Sequence, residues 1–219
     1  MLAGIAMVNR QLRLVMGGKY QVHLRVLNSL DHGLPQSRRR VYIVGILKSQ
    51  LRRRRFRWPQ ALPRRPASAF LEGNSPTGAV STPRTKKQIA KIQEALDRIE
   101  QQGGDVADDW FIDYHASPRY GVAVTKDRAG CLTRTRAAAG GPFITSRARG
   151  MSLLEICRFQ GFADGTLRWK GVRPRAVKQA LGNSWSVNVA GRVLLAACRA
   201  ANLGGDCLVD PWGDASRGR

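Results

Sequence analysis

The stretch Leu34-Pro35-Gln36-Ser37-Arg38-Arg39-Arg40 sets a glutamine and three arginines against the β-branched run Val41-Tyr42-Ile43-Val44. A guanidinium stays charged and presents its donors in a planar fork, so it suits a carbonyl, a phosphate or the edge of a heterocycle. The plain alternative is a solvated basic loop. Asn183 and Ser184, after Gly182, offer two short hydrogen-bonding side chains where a last helix is expected to start, a place that suits polar ligand atoms. Arg52, Arg53, Arg54, Arg55 and Arg57 form a third basic group around Phe56 and Trp58. They read as phosphate contacts, which fix position without reading sequence. A targeting patch or compositional bias would give the same run. Phe56 and Trp58 could stack on bases, but packing is the simpler role.

Elements must hold these groups in place. Tyr20 to Leu30 alternates apolar Val22, Leu24 and Val26 with polar neighbours, which predicts a strand followed by a turn at Asp31-His32-Gly33. Val41 to Leu47 is apolar on both faces and predicts a strand central in a sheet. The arginine loop then lies at a sheet end. Residues from Leu51 to Arg84 are rich in Arg, Pro, Gly and Ser without a steady period, and predict an irregular lobe. Ile89, Ile92, Leu96 and Ile99 stripe one helix, which Gly103-Gly104 ends. Short strands with turns follow from Asp108 to Ile144. Ser152 and Glu155 form a capping box for a short helix. Pro174 opens another helix and Gly182 is its expected stop. Val189, Val193, Leu194 and Ala197 stripe a closing helix, and the tail beyond it should fray.

The bulk numbers narrow the partner. With 219 residues, 43% of them apolar, the chain can bury one ordinary core with a smaller attached lobe. A net charge of +22 points to a polyanion, nucleic acid before an anionic membrane surface. No segment has the roughly 20 unbroken apolar residues of a spanning helix, and the start does not read as a secretory signal. Cys131, Cys157, Cys198 and Cys207 form no C-x-x-C pair, so reduced thiols are expected rather than disulfides or a metal site. His23 and His32 read as strand and turn residues, and nothing is assigned to His115.

Three blocks together resemble the cytosine-5 DNA methyltransferases. Gln36, Arg38 and Arg40 fall on the three marked positions of the family's motif VIII. Arg149, Glu155, Arg158, Gln160, Gly161, Phe162 and Asp164 match motif IX, with Ser152, Phe159 and Ala163 in place of Thr, Leu and Pro. Gly182, Asn183, Ser184 and Val187 match motif X. The order is the family's, with a variable Arg-rich segment between motifs VIII and IX where the target recognition domain belongs. The resemblance implies that the enzyme extrudes its target cytosine from the duplex into a pocket. Arg40 would then reach the ring oxygen of the cytosine. Arg38 would hold the catalytic loop or its substrate contacts, and Gln36 would bond the surrounding loop. Asn183 and Ser184 would line the pocket of S-adenosylmethionine, the methyl donor. Glu155 would brace the recognition domain besides capping its helix.

The family's Gly-rich F-x-G-x-G loop, Pro-Cys nucleophile and Glu-Asn-Val are not in this sequence, and no cysteine follows a proline. The expectation is therefore a C-terminal fragment or half of a DNA (cytosine-5-)-methyltransferase, inactive alone, with DNA and an N-terminal half or subunit as partners. The expected fold is α/β, the distal part of a Rossmann-like methyltransferase sheet with a small inserted recognition lobe. Residues 1–49 and 131–203 would be catalytic-domain parts, 50–130 the recognition region and 204–219 a tail. The nucleus of a eukaryote, or the cytoplasm or nucleoid of a bacterium, is the expected place. Three rivals stand beside this reading. They are a non-catalytic DNA-binding subunit of a split methyltransferase, an RNA cytosine methyltransferase fragment, and a generic basic nucleic-acid-binding protein.

Overall fold

The computed structural model describes residues 2–51, 55–76, 78, 80–115, 121–204 and 208–213. It is a mixed α/β arrangement. Helix α1 (Leu2–Met16) leads into β1 (Tyr20–Asn28), which pairs antiparallel with β2 (Arg39–Leu47). Helix α2 (Lys86–Gln101) precedes β3 (Trp110–Asp113) and β4 (Ala123–Lys126). Then come α3 (Arg134–Ala138), β5 (Phe143–Ile144) and β6 (Arg149–Gly150). Helices α4 (Leu153–Phe159), α5 (Pro174–Asn183) and α6 (Val187–Ala200) close the chain. Helix α1 escaped the sequence reading because it buries no continuous apolar stripe. Met7, Leu14 and Val15 are all exposed.

The β1–β2 ladder has two unlike faces, as period-2 geometry requires. Tyr42, Val44 and Ile46 pack with Leu27 and Phe56 against Val189 and Val193 of α6. On the opposite face Val41 and Ile43 are 47% and 50% exposed. The expectation of a central strand is therefore corrected. Among the described residues β2 pairs only with β1, and its second apolar face is open.

The other sheet runs in the order β4-β3-β5-β6, with its ladders antiparallel. It joins residues 110–126 to residues 143–150, so it crosses the expected recognition-region boundary at 130. Helix α2 packs Ile92, Ala95 and Ile99 in one cluster with Ile112 and Phe143 of this sheet and with Tyr114 just after β3. Thr85 caps α2 in a box with Gln88. A larger core links both regions: Leu34, Phe70, Phe111, Leu132, Ile156 and Phe159 share one cluster.

Two helix-end expectations change. Gly182 does not stop α5 but lies inside it. A Cβ on Gly182 would come within 2.6 Å of the Arg134 backbone, so the missing side chain lets α3 and α5 touch. The tail is not frayed where it is described, because Asp210 and Trp212 are anchored to α6.

Candidate active site

The arginine loop is built from the backbone outward. Asn28 ends β1, and its side-chain oxygen accepts from the Arg38 amide (2.8 Å). Ser29 Oγ donates to Gln36 O. Gln36 is wholly buried, with both ends of its amide used. Its Nε2 donates to Phe159 O (2.7 Å) and its Oε1 accepts from Leu132 N (3.1 Å). The loop is thus pinned to the end of α4 and to the segment before α3. Both polar ends of this buried amide are satisfied, as burial demands.

Arg38 is 2% exposed. Its Nη1 donates to Leu132 O (2.9 Å), and its Nη2 donates to Gly182 O (3.0 Å) and Ser184 O. Burial lowers its pKa, yet the guanidinium stays charged because Arg starts so high. Two of its acceptors are the last carbonyls of α5, where the helix dipole is negative. Arg40 is different. It is half-buried, its Nη1 donates to Arg39 O (2.8 Å), and its Nη2 lies 3.6 Å from Cys131 Sγ. Its other donors are uncommitted among the described residues. Arg38 Nη1 also approaches that thiol, at 3.4 Å. Cys131 therefore sits under two guanidiniums, a placement with no local sequence signal.

Asn183 and Ser184 do not start the last helix, as the sequence suggested. Asn183 is the last residue of α5 and Ser184 its C-cap, while α6 begins at Val187. Two C-terminal carbonyls of α5 thereby face Arg38 rather than solvent. Asn183 is exposed. Ser184 Oγ donates to Leu181 O (2.7 Å) and keeps its lone pairs. Both side chains offer polar atoms to a ligand edge.

A family model described as C-5 cytosine-specific DNA methylase matches residues 12–198. The chain belongs to that family. The type II methyltransferase M.NgoBI of Neisseria gonorrhoeae is 29% identical over 181 residues, which are 78% of this chain and 48% of that protein. The chain therefore spans about half the length of that curated relative. Two solved structures share the fold at 16% identity. The Entamoeba histolytica methyltransferase EhMeth aligns with a TM-score of 0.54, over 88% of this chain and 57% of that one. The S. pombe Dnmt2 methyltransferase aligns with a TM-score of 0.55, over 90% of this chain and 64% of that one.

Glu155 is a clamp as well as a cap. Its Oε1 accepts from Arg149 Nη2 and Glu72 N, and its Oε2 from Arg149 Nη1 and Ser152 N, all at 2.8–2.9 Å. Arg149 Nη2 also reaches Gly73 O (3.2 Å). The start of α4 is thus tied to residues 72–73 in the Arg- and Pro-rich stretch. Glu72 was not singled out from the sequence, because it lies far from Glu155 along the chain. Ser152 Oγ donates to the Glu72 carboxylate.

The remaining expected groups separate. Arg55 and Arg57 are exposed, while Phe56 is buried and meets the Trp58 ring edge-on at 4.9 Å. Phe56 is therefore core, not a base platform. Arg52, Arg53 and Arg54 lie outside the described residues. Burial, then Asp164, pushes the Cys157 thiol up to about 11, so it is no nucleophile. No cluster of three or more His, Cys, Asp or Glu suited to a metal occurs among the described residues. No helix there is long and apolar enough to cross a membrane.

His32 is more than a turn residue. It is 2% exposed, and its Nδ1 lies 2.7 Å from Arg192 Nη1. Burial first, and then the Arg192 charge, lower its pKa from 6.5 to about 4. The unfolded chain takes up this proton below pH 6.5 while the folded chain refuses it. The neutral ring's contribution is present above pH 6.5 and is lost as the pH falls towards 4. The full loss is about 3 kcal/mol. Urea midpoints at pH 7.5 and pH 5 will therefore separate in wild type and draw together in His32→Gln. An unchanged separation would refute the assignment.

Proposed function

We propose that this chain forms part of a DNA (cytosine-5-)-methyltransferase, contributing the target-base arginines, one wall of the methyl-donor site and the recognition region. One observation carries the reading: a single buried guanidinium, Arg38, bonds the arginine loop to the Asn183–Ser184 corner through Gly182 O and Ser184 O. The expected base contact and the expected cofactor contact are thereby held in one frame. Arg40 is the marked residue with donors to spare, so it polarises the cytosine ring oxygen as a nucleophile adds. Arg38 and Gln36 position it. Asn183 and Ser184 hold polar atoms of S-adenosylmethionine, which supplies an electrophilic methyl group when bound. Arg55 and Arg57, with Arg52 to Arg54, meet DNA phosphates.

The β1–β2 pair would be the distal end of a Rossmann-like sheet, its free edge continued by further strands and its open face of Val41 and Ile43 covered by an element packed on that face. Sheet β4-β3-β5-β6 with α2 would be the inserted recognition lobe. No cysteine of this chain follows a proline, so the covalent nucleophile comes from a methyltransferase half carrying Pro-Cys and Glu-Asn-Val. The chain would work wherever DNA is, in a nucleus or a nucleoid.

In an enzyme reconstituted with such a half, Arg40→Ala should lower turnover about 100-fold, the scale of losing one aimed donor. Duplex DNA affinity should change far less, because a phosphate contact is not lost. If Arg40→Ala and Arg55→Ala weaken DNA binding alike and turnover only follows affinity, a generic basic binder is the better description. Methylation by this polypeptide alone would remove the need for the second half, and preference for tRNA over duplex DNA would move the substrate to RNA.

A further inference from the structure

A cavity of 680 Å³ shares no lining residue with Gln36, Arg38, Arg40, Asn183 or Ser184. Its volume lies within the range of small-molecule sites. The loop after β1, residues 62–70, the turn after α4 and residues 211–212 enclose it. Phe162 and Trp212 supply aromatic rings to its wall, and Arg65 and Arg158 supply guanidiniums.

The lining shows signs of construction. Arg192 Nε donates to Asp210 Oδ2 (2.6 Å), and Asp210 Oδ1 accepts from the amides of Trp212 and Gly213 (each 3.1 Å). The Trp212 ring lies on α6 at Gly191, where a Cβ would approach it to 2.7 Å. The indole is therefore seated by a glycine and by a buried ion pair. Arg192 Nη1 meets His32 Nδ1 on the other side. An arginine can only donate, so Nδ1 must be the acceptor and the ring proton sits on Nε2. Nε2 has no partner among the described residues, and His32 lines the cavity while being almost wholly buried. The cavity thus holds an N–H donor of fixed tautomer without an acceptor.

We propose that this cavity binds a free mononucleotide. The base lies on the Phe162 and Trp212 rings, and a base carbonyl or ring nitrogen accepts from His32 Nε2–H. The phosphate meets Arg65, which is exposed at the rim and stands over the Phe70 ring at 5.1 Å. Arg158 is already engaged with Asp164, at 2.6 Å and 2.9 Å, so it shapes the rim and adds less charge. An aromatic wall, one aimed donor and one cation without an ion-pair partner among the described residues match the three parts of a nucleotide. This assignment stands apart from the methyl-transfer reading and does not need it.

Calorimetric titration of the full chain with CMP, UMP, AMP and GMP tests it, with ribose 5-phosphate, the four nucleosides and a short duplex as comparisons. At least one mononucleotide should bind with a Kd of about 10–100 μM. Trp212→Ala should weaken it by about tenfold or more, the scale of a lost base–aromatic stack. Arg65→Ala should erase the advantage of nucleotide over nucleoside. Both residues are exposed or half-exposed, and an unchanged urea midpoint verifies that each variant folds. Absence of binding by all four nucleotides at millimolar concentration would overturn the proposal. Ribose 5-phosphate binding as tightly would overturn it too, since only the basic rim would then be at work. So would a duplex that binds more tightly and loses affinity in both variants, because the cavity would then belong to the DNA path.

Discussion

Glu155→Ala is expected to cost about 3–5 kcal/mol, because it strands a buried guanidinium. Arg149 is 5% exposed and Glu155 wholly buried. The two form a bidentate pair at 2.9 Å. Without the carboxylate, Arg149 keeps only the carbonyls of Gly150 and residues 72–73. The amides of Glu72 and Ser152 lose their acceptor at the same time. A loss this large is a sizeable part of the stability of any domain.

Controls separate the charge from the cap. Ser152→Ala removes the capping hydroxyl and should cost about 1 kcal/mol. The double variant Arg149→Met, Glu155→Leu should recover much of the Glu155→Ala loss, since a buried pair replaced by apolar groups of similar volume is often near neutral. Urea midpoints measure all three, with the slope m as a check that the compactness of the states is unchanged. The clamp also joins residues 72–73 to α4, so Glu155→Ala should open that stretch to protease before the rest of the chain. A loss below about 1 kcal/mol, the worth of an ordinary hydrogen bond, would mean that the pair contributes no more than its cap.

Much of the local structure was legible because it obeys short-range rules. The period-2 run placed β1, the stripe through Ile92 and Ile99 placed α2, and Ser152 with Glu155 placed the start of α4. What failed was long-range or context-bound. Gly182 looks like a helix stop by type, but close approach of Arg134 is its reason here. The apolar second face of β2 argued for a central strand, whereas in this chain that face is open. The candidate site was legible as three separate blocks. The contacts that unite them were not, because Arg38 meets residues 131–132 and 182–184, far from it along the chain. Arg192, Asp210 and Glu72 likewise gave no signal, since ordinary charged residues acquire their meaning only when the fold buries them together.

Arg38 is where fold and proposed function meet, and Arg38→Ala is expected to cost about 3–5 kcal/mol. No carboxylate pairs with Arg38 among the described residues; backbone carbonyls and a thiol hold it, with the negative end of the α5 dipole behind two of them. Truncation therefore leaves no orphaned countercharge but several orphaned acceptors, at Leu132 O, Gly182 O and Ser184 O. A buried unsatisfied group costs about 1–3 kcal/mol, and the sum falls short of three full penalties because neighbours relax and water enters. Arg38→Lys restores charge but not the planar fork, and one ammonium cannot reach acceptors on two separate segments. It should recover less than half of the loss. Hydrogen exchange then distinguishes a general weakening from a local one. Protection should fall first at Leu132, whose amide is held by Gln36, and at Ser184, whose amide is held by Leu181 O. If Arg38→Lys matches wild type in both urea midpoint and exchange, the fork geometry is irrelevant and a positive charge alone fills the site. If it does not, the loop with Arg40 and the corner with Asn183 move apart together, and any activity that needs both must fall with them.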